Sequence, residues 1–199
     1  TLSNIDQLIL ILPKKTDQSL WKNIPQAKKV KILLKKRHQD NKGPIRIRLN
    51  NNRHTLAIVN DIDTFQDAFN MLSWARKLVN SAINEGPGTL GIWVAGFDNN
   101  KHLKIIDYLI SAALAIAYIM PNFKSKLIQP KIKQIKLIGA PKRLDLTRII
   151  SEAEGNNLAR CLTSLPSNIL DALSYRSIIK QMAKIEGWSH KEFDVKTLK

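Results

Sequence analysis

Short β-rich apolar runs alternate with amphipathic helical stretches along most of this chain, and that alternation restricts its fold more than any other feature. Gln7 to Leu12 is a compact apolar run and reads as a first strand. Leu20 to Arg37 has a helical pattern, with Pro25 near its start and Ala27, Val30, Leu33 and Leu34 on one face. Ile45 to Leu49 and Thr55 to Val59 are β-rich and flank Asn50-Asn51-Asn52-Arg53, a turn-forming stretch, so they read as a hairpin. Thr64 to Ile83 carries Phe65, Ala68, Phe69, Leu72, Ala75, Leu78, Val79 and Ala82 on one stripe, a helix. Leu90 to Phe97 is a strand, Lys101 to Met120 a mostly buried helix, and Ile132 to Ile138 another strand. Strands separated by helices tend to lie parallel, whereas a hairpin is antiparallel. The order βα(ββ)αβαβ therefore predicts an α/β fold with a mixed sheet sandwiched by helices.

The remainder of the chain is helical. Ile150, Ala153, Leu158, Cys161, Leu162 and Leu165 fall near one face of a helical period, which predicts an amphipathic helix over 147–165. Gly155 inside it costs roughly 1 kcal/mol against alanine, pointing to a packing constraint or a kink. Pro166 ends the helix, because the residue before a proline is pushed out of helical geometry. Ser174 is placed to cap a second helix with the stripe Tyr175, Ile178, Ile179, Met182 and Ile185, closed by Gly187. Ser189 to Phe193 looks like a strand start, and 195–199 like the opening of another helix.

Leu158-Ala159-Arg160-Cys161-Leu162, Pro166-Ser167-Asn168, Tyr175 and Ala183-Lys184-Ile185-Glu186-Gly187-Trp188 follow one another in an order that resembles the leucyl (cytosol) aminopeptidase family. There the corresponding segment joins the N-terminal domain to the catalytic domain. Ser167 stands where a second proline is common, and Asp171-Ala172-Leu173-Ser174 where a Thr-Pro capping pair is common. Both departures touch helix capping rather than chemistry. The resemblance implies a macro-domain-like N-terminal domain over 1–140, a connector helix over 141–165, and the start of the catalytic domain over 166–199. It further implies that the two divalent metals of such an enzyme, zinc or manganese, are bound by residues beyond Lys199. The implied partners are the catalytic domain itself and sister subunits of a homohexamer. A generic helical hairpin is the alternative reading of the same residues.

Composition narrows the remaining possibilities. With 44% hydrophobic residues in 199, the chain can bury a core and is not a disordered tail. One cysteine excludes an internal disulfide framework and favours the cytoplasm. Thr1 in place of methionine reads as a trimmed start with no secretory signal. The longest apolar run, Tyr108 to Met120, falls short of the roughly 20 residues a membrane span requires.

Catalytic constellations are scarce. His38, His54, His102 and His190 lie far apart and never pair at helix spacing, so each reads as a surface residue. Cys161, on the apolar face of its helix, reads as a buried, inert thiol. Glu152 and Glu154 sit two apart and point to different helix faces, while Asp61 and Asp63 flank a helix start, where capping is the simple role. Gly86-Pro87-Gly88-Thr89-Leu90-Gly91 spells G-x-G-x-x-G. A dinucleotide fingerprint needs a strand before it and a helix after; here the order is reversed, so a turn is predicted instead. No catalytic or metal-binding residue is assigned within the chain.

The net charge is +16, with 32 Lys and Arg against 16 Asp and Glu. Lys28, Lys29, Lys31, Lys35, Lys36 and Arg37 crowd one helix whose apolar stripe faces inward, which turns most of the charge outward. Such a face attracts phosphate backbones by counterion release. One bacterial type of leucyl aminopeptidase doubles as a DNA-binding architectural protein, so the resemblance keeps DNA among the expected partners. Three readings stay open: the non-catalytic N-terminal part of an aminopeptidase, a free-standing nucleic-acid-binding module, and a macro-domain-like enzyme or ADP-ribose binder.

Overall fold

The computed structural model describes residues 2, 4–40, 43–50, 54–62, 67–83, 86, 88–123, 132–141 and 144–193. The chain divides into two compact units, Thr1–Asn157 and Leu158–Lys199.

In the first unit the strands are β1 (Gln7–Pro13), β2 (Ile45–Arg48), β3 (Leu56–Ile62), β4 (Thr89–Val94) and β5 (Gln134–Ile138). They form one sheet in the order β2-β3-β1-β4-β5. β2 runs antiparallel to β3, with Ile47 opposite Ala57, and the other three pairings are parallel. The expected mixed sheet is therefore present. β1 occupies the centre because its unbroken apolar run suits a strand covered on both faces; residues 7–12 are all buried. β2 alternates half-buried or buried with exposed positions, as an edge strand should, and sends Arg46 and Arg48 outward.

Two helices, α1 (Gln18–Trp21) and α2 (Ala27–Asp40), follow β1 where one continuous helix from Leu20 was expected. Pro25 separates them, since the residue before it is held out of helical geometry and Gln26 takes a positive φ of 53°. Val30 and Leu34 of α2 pack with Leu8, Leu10 and Leu12 on one face of the sheet. The opposite face carries Ile9 and Ile11 and is covered by α3 (Ala68–Ile83) and α4 (Asn99–Ala117). Helices thus lie on both faces.

Several boundaries and faces differ from expectation. α3 buries Met71, Ala75, Leu78, Val79, Ala82 and Ile83. Phe69, expected on that stripe, is 74% exposed, and Thr64 and Phe65 lie outside the described residues. α4 begins earlier than Lys101, because the Asp98 side chain caps it by accepting from the Lys101 backbone N–H at 3.0 Å. It ends at Ala117 rather than Met120. β4 stops at Val94, where Gly96 follows with φ 83° and a Cβ would meet Leu20 Cδ2 at 2.6 Å. That close approach fixes α1 against the end of β4. α5 (Thr147–Ser164) contributes Ile149 to the α3/α4 core, while Ile150, one position on, is 44% exposed. Gly155 has open space around it, so no packing constraint explains it.

In the second unit, α6 (Ala172–Glu186) is capped by Asp171, not by Ser174. Ser174 is the reciprocal partner in a capping box, with its backbone N–H donating to Asp171 Oδ1 at 2.7 Å. Gly187 ends the helix with φ 70°, as expected. The anticipated core stripe exists in sequence but is largely uncovered: Tyr175 and Ile179 are exposed, and Ile185 is 79% exposed. Ser189 to Phe193 carry no strand, and residues 194–199 lie outside the described residues.

Candidate functional site

The carboxyl ends of parallel strands are where open α/β sheets place ligands, because helix and loop starts converge there beside unpaired backbone groups. β1 and β3 end side by side in this way, with Leu12 opposite Asp61 and Pro13 opposite Ile62. The Lys14 backbone N–H donates to the Ile62 carbonyl at 3.2 Å and holds the two ends together. The loop out of β1 then turns sharply, as Thr16 Oγ1 donates to the Pro13 carbonyl at 2.6 Å. Trp21 Nε1 donates back to the Thr16 carbonyl at 3.2 Å, which lays the indole beside the loop.

α2 runs past this point and contributes Lys31, Leu34, Lys35 and His38, spaced three and four apart on one helical face. Together with Pro13, Lys14, Thr16 and Trp21 they border a cavity of about 220 Å³. Lys31 Nζ stands 4.8 Å from the centroid of the Trp21 ring, a cation–π arrangement.

Asp61 forms the floor. It was expected to cap a helix, but it lies within β3 and its side chain is 2% exposed. A carboxylate so desolvated requires a charged partner, and Arg37 supplies it. Arg37 forms an ion pair with Oδ1, and His38 Nε2 lies 2.6 Å from Oδ2. Arg37 also donates to Asn60 Oδ1 at 3.0 Å. Burial draws the Arg37 guanidinium below its ordinary pKa. Asp63 lies outside the described residues.

The six basic residues singled out in the sequence therefore separate into two groups. Lys28, Lys29, Lys31, Lys35 and Lys36 are exposed on α2, whereas Arg37 is turned inward onto Asp61. Lys31 and Lys35 share the cavity wall. Sequence pattern alone did not single out Lys14, Trp21, His38 or Asp61 as neighbours of those lysines. The available signal was the rule on strand ends, applied to Pro13-Lys14-Lys15-Thr16 directly after the central strand.

The other candidates carry less chemistry. His102 is half-buried rather than on the surface, and burial holds its imidazole below the ordinary pKa. Cys161 is half-buried rather than buried. Glu152 accepts from Arg148 at 2.7 Å, and Arg148 also reaches Asp107 at 2.8 Å beside a second, more apolar cavity. Burial raises the Asp107 carboxyl, and the Arg148 charge opposes that rise. His190 and Arg176 both engage Glu192, at 2.9 and 2.6 Å. Helix α3 precedes and strand β4 follows the glycine-rich stretch at 86–91, the reverse of a dinucleotide fingerprint; Pro87 lies outside the described residues. Among the described residues no group of three or more His, Cys, Asp or Glu is placed to hold a metal ion. Among them, too, no helix is long and apolar enough to cross a membrane.

No family model and no curated protein matches this sequence. Solved structures do match it. A mutant of tomato leucine aminopeptidase superposes with a TM-score of 0.60 at 13% identity, over 90% of this chain and 40% of that one. A bottromycin maturation enzyme, BotP, in complex with Mn gives a TM-score of 0.61 at 14% identity, over 92% of this chain and 37% of that one. A second structure of BotP gives 0.59 at 12% identity, over 92% and 38%. The chain thus spans about two fifths of the length of the structures it matches. At such identities the likeness is one of fold. It agrees with the expected α/β architecture resembling the aminopeptidase N-terminal domain.

Proposed function

We infer that this chain is a non-catalytic α/β domain of leucine-aminopeptidase-like architecture, serving as the N-terminal part of a cytoplasmic, metal-dependent aminopeptidase. The parent enzyme removes N-terminal amino acids from peptides. The observation that carries this reading is the fold likeness, which takes in 90% of this chain but only 40% of the leucine aminopeptidase chain. The uncovered apolar residues of the second unit, Leu173, Ile185 and Trp188 among them, suit a surface that a further domain covers. That domain and sister subunits of a homohexamer are the proposed partners. The described residues do not fit the two divalent ions of such an enzyme, since no His/Cys/Asp/Glu group among them is placed for one. We place the ions in the parent's catalytic domain. The comparisons give no support to the nucleic-acid alternative.

Calorimetric titration of the purified chain with Mn²⁺ and with Zn²⁺ tests this assignment. No saturable binding of two ions at micromolar concentration is expected. Stoichiometric, micromolar binding of two ions would overturn it.

A further inference from the structure

We propose that the cavity at the carboxyl ends of β1 and β3 is a binding site for a small phosphate monoester carrying a planar ring, with the phosphate on Lys31 and Lys35 and the ring against Trp21. The inference goes beyond the aminopeptidase-like reading and does not depend on it.

Charge is the first argument. The walls bring Lys31 and Lys35 to one small space, and the carboxylate among the described residues that border it, Asp61, is committed to Arg37. Cationic charge on the walls therefore exceeds what the floor can balance, and a dianionic group restores neutrality. Lysine suits such a role as a point charge on a flexible stem that meets phosphate oxygens without a fixed fork geometry. The buried Arg37–Asp61 pair anchors the end of α2 and so sets where Lys31 and Lys35 project.

Shape is the second argument. At about 220 Å³ the cavity lies below the usual range for drug-sized ligands, roughly 300–1,000 Å³, so it suits a compact molecule. Its one aromatic wall is fixed by the hydrogen bond from Trp21 Nε1 to Thr16 and by the packing of α1 on Gly96. Lys31 stands over that ring at 4.8 Å, so anion and ring subsites adjoin. A bare phosphate would meet the lysines alone, and an uncharged ring would meet the indole alone.

The five lysines of α2 offer a built-in control. Lys28 and Lys29 are as exposed as Lys31 and Lys35 but do not border the cavity. The experiment follows the Trp21 indole N–H resonance, assigned with Trp21→Phe, while phenyl phosphate, AMP, adenosine or inorganic phosphate is added to the full chain. Phenyl phosphate or AMP should shift that resonance saturably, and adenosine and inorganic phosphate should each bind at least tenfold more weakly. A response to phenyl phosphate alone would mark a phosphorylated aromatic, and a response to AMP a nucleotide, both within the proposed class. K31Q/K35Q should lower affinity about tenfold or more, and K28Q/K29Q less than twofold. All four positions are exposed, so these variants should fold. The proposal is overturned by the absence of any Trp21 shift at millimolar ligand, by equal losses in the two double variants, or by inorganic phosphate binding as well as the esters.

Discussion

Asp61 shows how one side chain ties sequence to site. Its position after the apolar run of β3 made capping the simple expectation, because sequence neighbours alone were visible. The partners that matter, Arg37 and His38, are 24 and 23 positions earlier and arrive only when α2 lies across the sheet. A lysine-rich helix is legible in sequence; which of its basic residues turns inward is not, because that depends on the rotation of α2 on β1. Arg37, with its planar fork and an 11% exposed side chain, is the one that takes the buried carboxylate. Removing one partner of a buried pair leaves the other charge uncompensated. Asp61→Ala should therefore destabilise the fold by about 3 kcal/mol in urea unfolding. A loss below about 1 kcal/mol would show that the pair is not held as described.

Among the elements, strands were the most legible and helix ends the least. The apolar run of β1 and the hairpin β2–β3 identify themselves by composition, and their pairing follows from chain order. Helix ends depend on single side chains acting across one turn. Asp98 starts α4 early, Pro25 divides α1 from α2, and Asp171 rather than Ser174 leads α6. The buried face of α3 keeps the expected Ala75, Leu78, Val79 and Ala82 while Phe69 turns out, and in α5 burial falls on Ile149 instead of Ile150. Glycines test the packing of these elements in opposite directions. A Cβ at Gly91 in β4 would meet two atoms of the fully buried Ile5 at 2.9 Å. Gly91→Ala should cost about 1–3 kcal/mol through overpacking. Gly155, in the exposed middle of α5 with nothing near its Cβ position, should respond oppositely. Gly155→Ala should stabilise by up to about 1 kcal/mol in thermal unfolding, and a loss there would indicate a conformation alanine resists.

The segment after α6 carries an acid-sensitive contact. Hydrogen bonds from His190 and Arg176 lower the Glu192 carboxyl from its ordinary 4.5 to about 2. A depressed carboxyl contributes stability that is complete above its unfolded value and disappears as pH falls through the folded one. The contact should therefore hold above about pH 4.5 and be lost between there and about pH 2. NMR titration of the Arg176 and Glu192 side chains checks this, with Glu192→Gln expected to abolish the transition. A Glu192 midpoint near 4.5 would contradict it.

At the scale of the whole molecule, the described residues hold a sheet covered on both faces and a second unit whose apolar residues are largely uncovered. The α/β class was legible because alternating strand and helix patterns leave few arrangements. The cavity was not, because it assembles Pro13, Trp21, Lys35 and Asp61 from four separate segments. The role proposed for that fold is that of a domain that supports an aminopeptidase without performing its chemistry. The most direct test is hydrolysis of leucine p-nitroanilide by the purified chain with Mn²⁺ or Zn²⁺ added. Release no faster than the protein-free blank is predicted, whereas metal-dependent turnover that a chelator abolishes would contradict the account.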